Sequence, residues 1–337
     1  MYKRYLASLA LLGLVAMPAT AQDAHVWTDM RPDAVAPAGI STGRMLSSGG
    51  FEVRYDYQNS RFEGLVLGKT DYSLLDALDV YAQSPFERTD VSHGLTLGWG
   101  VSSTVTLQAS TSWLDRTRGI TNSDFFNFTE SSGLGDVFLD GLVEIFAEEG
   151  IRVHANLGVG IPTGSIDKVG VNLAGDSIVL PWETQLGSGS VSVRPGITAQ
   201  IQNAQASVGG QITSTIYAND SDREYRYGNE LDAALWMGYL LNDVFSVNAG
   251  VRYARWGDVK GADLALDRLA DPGQDPIFSA GARLDLPVGL NVMMPEGLLS
   301  NTLISAELIF PVHQNYDQPR LKGDTSFSLS FRRTFGG

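Results

Sequence analysis

The stretch Phe51-Glu52-Val53-Arg54-Tyr55-Asp56-Tyr57-Gln58 alternates apolar and polar residues without a break. Successive side chains of a strand point to opposite faces, so Phe51, Val53, Tyr55 and Tyr57 share one face and Glu52, Arg54, Asp56 and Gln58 the other. A helix would scatter both sets around its circumference. A strand that is charged along one whole face needs water or opposite charge on that side. It needs an apolar surrounding on the other.

The same period recurs to either side. Leu95, Leu97 and Trp99 alternate with Gly94, Thr96 and Gly98, and Val105, Leu107, Ala109 and Thr111 lead to Trp113. Val137, Leu139, Gly141, Val143 and Ile145 oppose Asp136, Asp140 and Glu144. Ile151, Val153, Ala155, Leu157 and Val159 oppose Arg152, His154 and Asn156. Val191, Val193, Ile197 and Ile201 oppose Arg194, Thr198 and Gln200. Further strands centre near 208–216, 231–239, 245–253, 278–286, 304–310 and 327–335, which makes about twelve.

The connections alternate in length. Val101-Ser102, Glu148-Glu149-Gly150, Asn203 and Asn242-Asp243 read as tight turns, and 289–301 as a longer one. Between them lie long segments at 61–87, 115–132, 162–187 and 257–276 and shorter ones near 219–224 and 316–323. Short turns on one rim and long loops on the other mark an outer-membrane barrel. A soluble sandwich shows no such alternation and would have to bury Arg152, Arg194, Arg252 and Glu230 or leave its apolar faces wet. The expected fold is therefore all-β: a transmembrane antiparallel up-and-down β-barrel of about 12 strands over 49–337, closed by pairing 51–57 with 327–335. Both its termini are expected in the periplasm.

The N-terminus sets the compartment. Lys3 and Arg4 precede an apolar run from Tyr5 to Met17, and Ala19-Thr20-Ala21 supplies a small-residue cleavage site. Residues 1–21 read as a signal peptide cleaved after Ala21. The run is too short to span a membrane as a helix. Residues 22–48 are broken by Arg31-Pro32 and Ala36-Pro37 and read as a periplasmic leader or lumen plug. The segment 72–82 carries Leu74, Leu75, Leu78 and Tyr81 at helical spacing. It is expected to form a loop helix, packed on neighbouring loops or lying at the barrel mouth.

Composition narrows the function. The 337 residues contain no cysteine and carry a net charge of −14. Without the signal peptide the chain holds 22 basic and 38 acidic side chains, a balance of −16. Such a chain repels nucleic acid and anionic lipid surfaces. A mean hydropathy near zero is too low for a helical membrane protein but ordinary for a barrel, in which only alternate residues meet lipid.

Two short motifs carry a resemblance. Ser132-Gly133-Leu134-Gly135-Asp136-Val137 opens one strand, and Leu157-Gly158-Val159-Gly160-Ile161-Pro162-Thr163-Gly164-Ser165 closes the next. With the leader Trp27-Thr28-Asp29-Met30-Arg31-Pro32-Asp33-Ala34, they resemble the outer-membrane proteins grouped as phenol-degradation meta-pathway transporters. The resemblance implies a β-barrel in the outer membrane of a Gram-negative cell that passes small, aromatic or otherwise apolar molecules.

The informative site is the inner face. By parity Arg54, Arg152, Arg194, Arg252, Arg283 and Arg332 point into the lumen, as do His154 and the acids Asp136, Asp140, Glu144, Glu230, Asp232, Asp285 and Glu307. They are expected to pair with one another, with Arg152 near Asp140 and Glu144 and Arg283 beside Asp285. Inward glycines, among them Gly98 and Gly238, are expected to leave space.

Enzymatic chemistry has little to stand on. His25, His93, His154 and His313 are far apart and at no metal-ligand spacing, and no nucleophile motif marks a Ser-His-Asp site. Neither metal nor cofactor is expected. The expected function is an outer-membrane channel or transporter for small solutes, with lipopolysaccharide, outer-membrane lipid and the barrel-assembly machinery as partners. A closed structural or surface-interaction barrel is the alternative, and an outer-membrane enzyme a distant third.

Overall fold

A computed structural model of the chain describes residues 27–29, 31–294, 297 and 299–336. The expected signal peptide and cleavage site lie outside the described residues. Twelve antiparallel strands form the wall: β1 Phe51–Gly68, β2 Ser84–Gly100, β3 Val105–Thr121, β4 in two pieces (Phe126–Leu134 and Val137–Glu148), β5 Ile151–Ile161 and β6 Ser192–Gln202. They continue as β7 Ala206–Tyr217, β8 Glu230–Leu240, β9 Phe245–Trp256, β10 Gly281–Met294, β11 Thr302–Gly323 and β12 Ser326–Phe335. Each pairs with its neighbour in sequence, and β12 returns to β1 with Phe51 opposite Phe335 and Tyr57 opposite Leu329. Closure leaves no sheet edge, so all wall backbone groups can be satisfied without water, as a bilayer demands.

The packing is inside out. Leu139, Val143, Leu157, Ile212, Leu235, Val247 and Leu308 are exposed on the outer face. Glu52, Arg54, Asp140, His154, Thr198, Glu307 and Ser328 are buried within. In water the outer band would forfeit its hydrophobic free energy, about 25 cal/mol per Å². In hydrocarbon it is at home. The ten residues of β12 match the length a tilted strand needs to cross a bilayer.

Several connections differ from expectation. The segment 115–132 is mostly strand: β3 runs to Thr121, β4 starts at Phe126, and only 122–125 turn. Likewise β1 and β2 reduce 61–87 to a loop over 69–83, and β11 runs through 316–323 to a turn at 324–325. These strands rise past the membrane, where both faces can be polar. Asp115, Arg116, Thr117 and Arg118 therefore show no alternation, although they are strand. Within the loop over 69–83 a short helix, Leu74–Leu78, packs Ala77 against Leu65 of β1 and Leu321 of β11.

Candidate functional site

The leader runs along the inner wall at the short-turn end. Its backbone carbonyls are taken one by one by inward side chains. Asn291 donates to Pro32, Ser207 to Asp33, Arg252 to Ala38, Arg54 to Ile40, Gln211 to Ser41, and Thr42 faces His154 Nε2 at 2.8 Å. An irregular segment away from solvent must find such partners, and these come from β1, β5, β7, β9 and β10. Small apolar contacts supplement them: Ala36 and Ile40 pack on Trp236, and Val35 on Met293 and Leu303. The inward glycines do not leave empty space here. Gly98 admits Leu46 and Gly238 admits Asp33, each at the distance where a Cβ would press on the leader.

The inward charges pair locally. Arg54 bonds Asp56 at 2.8 Å, Arg283 bonds Asp285 at 2.9 Å, and Arg252 bonds Glu307 at 2.8 Å. Arg194 lies 3.8 Å from Asp140 and 4.2 Å above the Phe138 ring. Glu52 takes Arg332 at 3.5 Å and Arg44 of the leader at 3.1 Å. Arg152 departs from expectation. Its partner is Asp29 of the leader at 2.9 Å, with Trp27 stacked nearby, and not Asp140 or Glu144. Glu144 stands opposite His154 in register but makes no ion pair among the described residues. Glu230 accepts from the Tyr217 hydroxyl at 3.2 Å, and Asp232 is exposed to the lumen.

The two short motifs of the sequence meet at the opposite, long-loop end. Asp136 sits in the break between the two pieces of β4. Its Oδ1 accepts the Gly164 amide at 2.9 Å, its Oδ2 accepts the Ser188 amide and hydroxyl at 2.9 and 2.7 Å, and Thr163 donates to Gly135 at 3.0 Å. One carboxylate thus grips both roots of the loop over 162–191. A 3-10 turn on the returning limb of that loop, Trp182–Thr184, lies across the mouth. Its carbonyls are again satisfied: Trp182 by Tyr227, Glu183 by Arg116, and Thr184 by Ser131.

Glu183 ties that turn down. Arg88 of β2 meets it at 2.9 Å, Arg118 of β3 at 3.4 Å and Arg320 of β11 at 3.7 Å. Burial opposes the charge, but Arg88, Arg320 and Arg118 outweigh it and hold the carboxyl at about 2. Arg118 also bonds Asp271 at 2.6 Å, and Trp182 donates to Gly273 at 3.0 Å, so the loop over 257–280 is bound into the same cap. Arg223 lashes the rim further, bridging Asp167 and Asp263. The sequence assigns no site role to Arg88, Arg116, Arg118, Glu183 or Arg320, and it places Asp271 among the solvated acids of the outer loops, whereas the structure buries it. These residues lie in segments without alternation, in or beside stretches expected as loops, where acids outnumber bases and no arginine stands out.

Between leader and cap lies open volume. A cavity of about 400 Å³ is floored by Ile40 and Ser41 and walled by Arg194, Gln211, Tyr217, Glu230, Asp232 and Arg283. It shares Phe138, Tyr217 and Glu230 with an upper cavity of about 450 Å³ beneath Trp182. A third, of about 280 Å³, is lined by Trp182, Tyr227, Trp256 and Arg320. Glu230 borders all three.

No protein-family model and no curated protein matches the chain. Among solved structures, it is similar to the COG4313 outer membrane channel from Pseudomonas putida F1, at 15% identity and a TM-score of 0.63 over 88% of this chain and 100% of that one. More distant are the beta domain of the Bordetella autotransporter BrkA (10% identity, TM-score 0.46, 86% and 100% covered) and a deletion mutant of the TodX monoaromatic hydrocarbon channel (10%, 0.43, 86% and 91%). The likeness to the first is one of fold: a closed antiparallel barrel of the outer-membrane type.

Proposed function

We propose that this protein is a gated outer-membrane channel for small, aromatic or otherwise apolar molecules. The observation that carries this reading is the open lumen between two separable closures. A barrel built only as a wall would be filled by its own inward side chains. Here the lumen is stopped by the leader below and by a folded-in loop above, with connected cavities between them. Trp182, Tyr227 and Trp256 give the entrance flat apolar faces suited to aromatic solutes. Kinship with the phenol-degradation meta-pathway outer-membrane proteins is part of the proposal. It is supported by the hydrogen-bonded meeting of the Gly133–Asp136 and Pro162–Ser165 motifs. Lipopolysaccharide, facing the upper apolar band, and the barrel-assembly machinery are the proposed partners, and no enzymatic role is proposed.

The test is conductance of the folded, full mature chain in a planar bilayer, with uptake of small aromatic solutes into liposomes alongside. Discrete current steps are expected, and larger ones after excision of 27–46. Folded protein that passes neither ions nor solutes in either form would leave a structural barrel instead.

A further inference from the structure

The charges that line the path do not cancel at every level. Around the cap Arg88, Arg116, Arg118 and Arg320 are matched in number by Asp90, Asp136, Glu183 and Asp271. The middle of the lumen differs. Four arginines, Arg54, Arg194, Arg252 and Arg283, each face their own carboxylate in Asp56, Asp140, Glu307 and Asp285. Two carboxylates are left over, Glu230 and Asp232, two apart on β8 and so on one face. Neither has an arginine within ion-pair distance among the described residues. Asp232 faces Arg194 and Arg283, but the first is stacked on Phe138 and the second is bonded to Asp285.

Their position matters more than their number. Glu230 borders all three cavities, so any solute passing from entrance to leader passes it. Asp232 is more than a third exposed although it lies inside the barrel, and it lines the central cavity. A fixed charge in a narrow pore with low-dielectric walls is weakly screened and enriches the opposite ion.

On the channel reading above, we infer that the lumen selects for cations, and that Glu230 and Asp232 are its selectivity-determining residues. Among apolar or aromatic solutes the same field favours neutral molecules and protonated amines over carboxylates.

The experiment is the K⁺ to Cl⁻ permeability ratio, read from the zero-current potential of the full mature protein in a planar bilayer under a KCl gradient. Wild type is expected to favour K⁺ by about twofold or more. Asp232→Asn should lower the ratio, and the pair Glu230→Gln and Asp232→Asn should bring it to about one. Asp222→Asn, on an exposed loop, should leave it unchanged. Asp232 is solvated, so its variant should fold, and heat-modifiable migration on a gel checks that. Channels that conduct with a ratio of one or below, or with a ratio unmoved by the double variant, overturn this inference while the channel reading stands. Folded protein without conductance overturns both.

Discussion

Arg152 of β5 and Asp29 of the leader meet at 2.9 Å, each about a quarter exposed. They form one anchor of a segment otherwise held by its carbonyls, by small apolar contacts and by the Arg44–Glu52 pair. A pair so exposed is worth about 1 kcal/mol or less. Arg152→Ala should therefore leave the assembled barrel's thermal stability nearly unchanged. It should raise the frequency of channel opening several-fold, Asp29→Asn should do the same, and the double variant should do no more than either. Single-channel recordings arranged as a double-mutant cycle check this. Additive effects would mean that the two residues act separately.

The outer band gives a second expectation. Leu157 is 62% exposed and faces outward on β5. An arginine there must enter hydrocarbon, at about 2–4 kcal/mol near the midplane. Thr215, on β7, instead lines the central cavity. Leu157→Arg should reduce the fraction of heat-modifiable, assembled protein, and Thr215→Arg should not. Equal assembly of the two would contradict the assigned faces.

Where a strand crosses the membrane, its sequence states so. Phe51–Tyr57 must be apolar outward because lipid is there, and its alternation located β1 and its partner β12. Above the membrane that requirement lapses, so the upper halves of β1, β2, β3 and β11 were read as loop. The inward direction of Arg194, Arg283 and Glu307 followed from parity. Their partners did not, except for Arg283 and Asp285, which share one strand. Pairing across the lumen depends on which strand stands opposite and on what lies between, and for Arg152 that is the leader. The cap was illegible for a further reason: Glu183 and Asp271 lie in long irregular loops, and nothing in their neighbours announces that they fold inward onto Arg88 and Arg118.

Asp136 offers a third expectation. Its two oxygens accept three hydrogen bonds from the roots of the loop over 162–191. Asn at this position keeps one acceptor oxygen and loses the charge that strengthens all three bonds, at about 2 kcal/mol. The wall of β4 and β5 pairs independently of that grip. Asp136→Asn should therefore assemble normally, conduct more, and become cleavable by trypsin at Lys168 in intact vesicles. A variant that resists trypsin like wild type would show that the arginines around Glu183 hold the loop unaided.

Acid should open the cap through Glu183. Its carboxyl is held at about 2 in the folded cap against an ordinary value of 4.5 when released. A group whose pKa is lowered by folding stabilises fully above its ordinary value, and the stabilisation drains away as the pH falls toward the folded one. The cap is thus at full strength at neutral pH and weakens below about pH 4.5, as the released carboxyl begins to hold its proton. Protonation leaves Arg88 and Arg320 facing each other and Arg118 without one of its two partners. Glu183→Gln imposes that state at every pH and should cost about 3 kcal/mol of cap stability, the usual penalty for unpairing buried charge. Wild-type conductance should therefore climb as the pH is lowered from 5 toward 3. Glu183→Gln should start high at neutral pH and respond little to acid. If the variant kept the wild-type acid response, another group would be the one that titrates. A low, flat conductance in both would mean that the Arg118–Asp271 bond alone keeps the mouth shut, and Asp271→Asn would then be the variant that opens it.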